Sequence, residues 1–187
     1  MEYGNVLAGQ LQDYLRRWPD ESASVLQFEE LLQDGNGHFV RDPFLRERIE
    51  GHFTSGAWLV SADGQRILMT HHRKLERWLQ LGGHADGERD MAVVALKEAQ
   101  EESGLPGLTV EGGEIFDLDR HWIPERKDVP GHWHYDVRYV VRAGADENFV
   151  VSEESLELAW RPISELANDA DESMSRMARK WLARNMP

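Results

Sequence analysis

Apolar positions follow a helical rhythm at the start of the chain and a strand rhythm through its middle. Leu7, Leu11, Tyr14, Leu15 and Trp18 recur at i, i+4, i+7, i+8 and i+11, one stripe of an amphipathic helix that Pro19 helps to stop. Val25, Phe28, Leu31 and Leu32 repeat the pattern, and Asp34-Gly35-Asn36-Gly37 closes it with residues that tolerate positive φ. Asp42 before Pro43 reads as an N-cap and first-turn pair, followed by a short third stripe of Leu45, Ile49 and Phe53. Residues 1–50 are therefore expected to be a helical extension, packed on a domain that occupies 51–187 as one structural unit.

From Gly56 the period falls to two. Ala57–Ser61, a turn at Ala62-Asp63-Gly64, and Arg66–Thr70 predict a hairpin, with a third strand at Trp78–Leu81. In His132–Val141, Trp133, Tyr135, Val137, Tyr139 and Val141 share one face, while His132, His134, Asp136 and Arg138 share the other. Ile115–Trp122 alternates in the same way, and Leu156, Leu158 and Trp160 add a further strand. Met174, Met177, Ala178, Trp181 and Leu182 form a closing helix whose other face, Arg176, Arg179, Lys180 and Arg184, reads as solvated. Strands between helices predict an α/β fold with a mixed sheet.

Composition narrows the function. Of 187 residues, 34 are acidic and 21 basic, a net charge of −13 that disfavours nucleic acid polymers and anionic membranes as partners. The longest apolar run, Met91–Leu96, is far short of a membrane span, and Met1-Glu2-Tyr3-Gly4 does not open a signal peptide, so a cytoplasmic location is expected. With no cysteine, any metal must use oxygen or imidazole ligands.

The chemistry concentrates between the strands. Gly82-Gly83-His84-Ala85-Asp86-Gly87-Glu88 reads as a glycine-rich turn, and Met91–Ser103 as a helix. Its expected buried stripe is Ala92, Ala95, Leu96 and Ala99, with Gly104 at the left-handed C′ position. Glu98, Glu101 and Glu102 stand at i, i+3 and i+4, so three carboxylates lie close together on the helix. Such repulsion is tolerable on a surface. It is also what a hard cation such as Mg²⁺ or Mn²⁺ requires of its ligands.

This stretch resembles the Nudix hydrolase box, G-x5-E-x7-R-E-U-x-E-E-x-G-U with U aliphatic, at Gly83, Glu98, Ala99, Glu101, Glu102, Gly104 and Leu105. Lys97 stands where the family has arginine, and Leu81 where many members carry proline. The loop is one residue short, so that Glu88 precedes the expected glutamate position, which Arg89 fills. The resemblance implies a Nudix-type α/β/α sandwich over 51–187. It also implies hydrolysis of a nucleoside diphosphate linked to another group, a small-molecule nucleotide substrate, and Mg²⁺ or Mn²⁺ at Gly83, Glu98, Glu101 and Glu102. Glu98 is alternatively a water-orienting group or base. A late-loop acid is implied too, for which Glu154 is the choice over Glu153.

Recognition of the substrate is expected from Arg126, Lys127, His132, His134 and Arg138, a cationic cluster that would cradle phosphate or a second product group. A plain polar sheet face is the alternative. His132 and His134 also have the i, i+2 spacing of an imidazole metal pair, but no third ligand is identifiable in the sequence. His71-His72-Arg73-Lys74 reads as a solvated basic loop, and Trp78 and Trp122 as core residues or base-stacking surfaces. The extra helices are expected to serve as homodimer contacts or a lid. Competing readings are a housecleaning triphosphate pyrophosphohydrolase, an isomerase of allylic diphosphates, disfavoured by the intact triplet and absent cysteine, and a non-catalytic nucleotide binder.

Overall fold

The computed structural model describes residues 3–34, 42–73, 75–126, 129–153 and 155–184. In order they form α1 (Tyr3–Arg17), a 3-10 turn (Pro19–Glu21), α2 (Ser22–Asp34), β1 (Gly51–Val60), β2 (Arg66–His72), β3 (Arg77–Leu79), β4 (Leu81–His84), α3 (Met91–Ser103), β5 (Thr109–Val110), β6 (Asp117–Ile123), β7 (His132–Arg142), β8 (Ser155–Pro162), α4 (Ile163–Leu166) and α5 (Glu172–Arg184). The strands make one sheet along the path β3-β2-β1-β7-β5, with β4 paired to β1, β6 to β7 and β8 to β2. β6 and β7 run antiparallel from Asp117↔Arg138 to Ile123↔His132. β2 and β8 do so from Arg66↔Pro162 to His72↔Ser155.

The chain divides into two compact units. The first comprises Met1–Gly56, Gly82–Ala95 and Gly112–Tyr139. Its core holds Leu7, Leu11, Tyr14, Val25 and Phe28 from the two N-terminal helices with Phe44, Phe53, Leu118 and Val137. Phe28 meets Tyr135 edge-on at 5.4 Å and Phe53 at 6.2 Å between ring centroids. Gln10 accepts a 2.9 Å hydrogen bond from the Tyr139 hydroxyl, which fixes α1 to the base of β7. Burying each of these large side chains stabilises the fold by about 1.5–3 kcal/mol.

The second unit comprises Ala57–Leu81, Leu96–Glu111 and Val140–Pro187. Trp58, Leu59, Ile67, Leu68, Val141 and Leu158 from its strands are buried with Met174, Met177 and Trp181 of α5. The Trp181 indole donates to the Gly64 carbonyl at 2.8 Å, joining the hairpin turn to the closing helix. α5 is less open than expected on its basic side, for Lys180 is only 6% exposed.

Several expectations need correction. Residues 42–50 form turns rather than a third helix: Asp42 accepts hydrogen bonds from Phe44 and Leu45, but Phe53 N–H already donates to the Pro43 carbonyl at 2.8 Å. That bond draws Phe53 into β1, and Leu45 and Ile49 are left exposed. The strand expected at Trp78–Leu81 is broken at Gln80, and its second half, β4, includes the two glycines expected to lie in a turn. The buried stripe of α3 is Met91, Val94, Ala95, Ala99, Glu102 and Ser103, so Ala92 and Leu96 give way to positions one residue away. The supposed outer face of β7 is inside: His132, Asp136 and Arg138 are 8%, 6% and 5% exposed.

Candidate functional site

α3 begins with a built cap. Asp90 Oδ1 accepts from the Ala92 and Val93 amides at 3.1 and 3.4 Å, and Glu88 Oε1 accepts from Arg89 and Asp90 at 2.7 and 2.9 Å. Glu88, whose place in the shortened loop the sequence left unexplained, therefore holds the turn into the helix. Arg89 pairs with Asp42. Upstream, a Cβ on Gly82 would stand 2.5 Å from the Ser55 carbonyl oxygen, so only glycine permits that approach of β4 to β1. Gly83 follows directly on the same strand.

At the other end of α3 the carboxylates separate by environment. Glu102 is buried at 7% exposure, and the Glu98 and Glu101 side chains are 17% and 60% exposed. Lys97 lies 3.7 Å from Glu98 and 3.6 Å from Glu101, so the ammonium that replaces the box arginine contacts both. It does so as a point charge, without a guanidinium's planar fork. The three are carboxylate oxygens on a rigid helix, the donor chemistry a hard divalent cation takes, so the residues fit one. Gly104 ends the helix with φ +66°, its amide donating to the Gln100 carbonyl at 2.9 Å.

Within the first unit a second constellation forms. Arg138 donates from Nε to Asp136 at 2.8 Å and from Nη1 to Asp117 at 3.1 Å, with Nη2 3.3 Å from Asp119. Burial pulls its pKa down, and Asp136, Asp119 and Asp117 outweigh that and raise it. The expected phosphate contact by Arg138 is thus replaced by three internal carboxylates, and one positive charge faces three negative ones. Thr54 donates to the other oxygen of Asp136 at 3.0 Å.

Beside this network lie the histidines. His132 and His134 Nε2 atoms are 3.2 Å apart, and ligand nitrogens of His52, His132 and His134 all lie within 4.8 Å of one another. Among the described residues this is the one group of three or more histidines or carboxylates so gathered, and the box glutamates are not converged to that degree. His84 lies 5.1 Å from His52 and 5.0 Å from His134 between ring centroids. Burial lowers the His52 pKa; burial, with Arg46 and His52 nearby, pushes His84 down to about 4; burial and the surrounding imidazoles push His134 to about 2. His52 and His84 escaped sequence reasoning because each sits in an apolar or glycine-rich segment read as backbone. A histidine at the head of a buried strand was the available signal.

The remaining expected residues are scattered. Arg126 is exposed and exchanges two backbone hydrogen bonds with Val129. Lys127 and Glu154 lie outside the described residues. Arg73 of the basic loop donates to the Glu153 and Ser155 carbonyls at 2.9 and 2.8 Å, and His71 stacks on Trp78 at 5.2 Å. Trp122 is half exposed and packs edge-on against Trp133.

The family model of the NUDIX domain matches residues 52–183. The chain belongs to the Nudix family. Solved structures agree with the fold. A Nudix family hydrolase from Clostridium perfringens aligns with a TM-score of 0.55 at 21% identity, over 72% of this chain and 98% of its own. A C. elegans Ap4A hydrolase aligns at 0.54 and 17%, over 71% and 96%, and the E. coli dihydroneopterin triphosphate pyrophosphohydrolase at 0.54 and 14%, over 71% and 95%. No curated protein matches the chain. The Nudix fold is thus the mixed sheet with flanking helices described above, and no described helix is long and apolar enough to cross a membrane.

Proposed function

We propose that this Nudix hydrolase cleaves the pyrophosphate bond of a nucleoside diphosphate linked to a second group, as in a nucleotide sugar or a dinucleotide. The observation that carries the proposal is the intact carboxylate triplet on α3, with Glu98 and Glu102 turned to the protected side of the helix. Glu98, Glu101, Glu102 and the Gly83 carbonyl would hold Mg²⁺ or Mn²⁺. Bound there, the cation supplies charge neutralisation for the pyrophosphate and lowers the pKa of the attacking water.

The chain's own residues have separable tasks. Glu102 and Glu98 are held by the helix, so little entropy is lost in presenting them. Lys97 limits the repulsion between Glu98 and Glu101 before a cation arrives. Glu154 is assigned the place of the late-loop acid, and Glu98 is the alternative group that orients the attacking water or takes its proton. Arg126 and Lys127 are assigned to the charged or hydrogen-bonding part of the second group. A retained triplet argues against a non-catalytic binder. The fold does not choose among substrates: the C. elegans Ap4A hydrolase and the E. coli dihydroneopterin triphosphate pyrophosphohydrolase share it, and one is named for a dinucleotide and the other for a triphosphate.

The test is a Mg²⁺-supported screen of nucleotide sugars, dinucleotides and nucleoside triphosphates with the products identified. Glu101→Gln and Glu102→Gln keep the side-chain size and remove a charge. Each is expected to lower turnover by roughly 10²–10³-fold, the usual loss when one preorganised electrostatic group is removed. Unchanged turnover in both would overturn the site, and a wild-type preference for triphosphates would overturn the substrate class.

A further inference from the structure

The histidine group in the first unit has features that neither the hydrolytic site nor packing requires. Nδ1–H of His132 donates to the Pro130 carbonyl at 2.8 Å, and Nδ1–H of His52 donates to the Arg48 carbonyl at 3.0 Å. A carbonyl accepts only, so each bond fixes the tautomer and leaves Nε2 of both rings with a bare lone pair. Nε2 of His52 is fully buried and has no hydrogen-bond partner. An orphaned buried lone pair is costly unless something else takes it.

Those lone pairs converge. A tetrahedral cation with imidazole ligands at about 2.0–2.1 Å sets its nitrogens about 3.3–3.4 Å apart. The 3.2 Å between Nε2 of His132 and His134 already meets that spacing, and the His52 nitrogen lies within 4.8 Å of both. Backbone carbonyls bonded to the distal ring nitrogen are the usual means of orienting a metal-binding histidine. Arg48, whose carbonyl orients His52, is itself pinned through Nη1 to the Gly51 carbonyl at 2.6 Å and through Nη2 to Asp34 at 2.5 Å.

Charge favours a cation too. Asp117, Asp119 and Asp136 outnumber Arg138, and Asp119 also holds Nδ1 of His121, whose ring is 5.5 Å from that of His134.

We propose that His52, His132 and His134 form a binding site for a borderline divalent cation of the Zn²⁺ class, with His84 beside it. Without metal, Nε2–H of His134 donates to the bare Nε2 of His132; on binding, that proton moves to Nδ1 of His134, and its Nε2 lone pair joins the other two. No proton is lost overall. Imidazole donors select Zn²⁺, Co²⁺, Ni²⁺ or Cu²⁺ over Mg²⁺, so the site's cation differs from the one the glutamates would hold.

The experiment titrates the full-length protein with Co²⁺ in the presence of millimolar Mg²⁺ and follows the visible absorption of tetrahedral Co²⁺. One equivalent is expected to bind, and Zn²⁺ is expected to displace it. His52→Ala and His134→Ala are each expected to weaken binding at least tenfold, whereas Glu101→Gln binds Co²⁺ as the wild type does. Should either histidine variant misfold, the wild type alone decides: Zn²⁺ is expected to shift the imidazole nitrogen resonances of His52, His132 and His134 but not those of His71. No Co²⁺ uptake in excess Mg²⁺, full binding in both histidine variants, or loss of binding in Glu101→Gln would overturn the site.

Discussion

Arg138 shows what a single buried charge can hold together. All three faces of its guanidinium meet carboxylates, and its side chain is only 6% exposed. Arg138→Ala would leave Asp117 and Asp136 buried beside the partly buried Asp119, all three mutually repulsive, so a loss of about 3–5 kcal/mol is expected. Arg138→Lys restores the charge but not the fork and should recover only part of it. Equilibrium denaturation measures both, and a loss below about 1 kcal/mol for the alanine variant would contradict this account. Lys97 makes the opposite case: its side chain is 56% exposed, so its pairs with Glu98 and Glu101 are worth about 0–1 kcal/mol. Alternation in the sequence correctly put His132, His134, Asp136 and Arg138 on one face. It could not show that the face is covered, because period reports direction and not what packs above it.

At the scale of elements, α3 was the most legible part of the chain, since its glycine stop and its carboxylate spacing are local signals. Gly104 carries φ +66°, and a Cβ there would lie 3.2 Å from Val150 Cβ. Gly104→Ala is therefore expected to cost about 1–2 kcal/mol from backbone strain alone. Asp90→Ala removes the cap at the opposite end and should cost about 1 kcal/mol. Thermal melts of the two variants check both values, and an unchanged Tm in either would refute its local reading. The turns at residues 42–50 were misread because Asp-Pro followed by spaced apolar residues is a sound local helix signal. The Phe53-to-Pro43 hydrogen bond that defeats it belongs to the start of β1, which local patterning cannot see. The metal-like histidine group was hidden for a related reason: His52, His84 and His132 arrive from three different strands.

At the scale of the molecule, the N-terminal helices are integral to the first compact unit rather than a detachable preface. Leu7, Leu11, Tyr14 and Phe28 are at most 1% exposed, and Phe28 packs on Phe53 of β1 and Tyr135 of β7. Arg17 donates to the Ile115 carbonyl at 2.8 Å and Gln10 to the Gly113 carbonyl at 3.1 Å, so α1 also satisfies the segment that enters β6. Deleting residues 1–50 would uncover Phe53 and Tyr135, break these bonds and remove Arg48, which orients His52. The exposed aromatic surface should drive aggregation or a new oligomer. The family match begins only at residue 52, so the box and its glutamates would all survive the cut. A soluble truncation with unchanged oligomeric state and full turnover would show that the helices are dispensable. Recovery as inclusion bodies or high-mass species, against a well-behaved full-length chain, is the expected result.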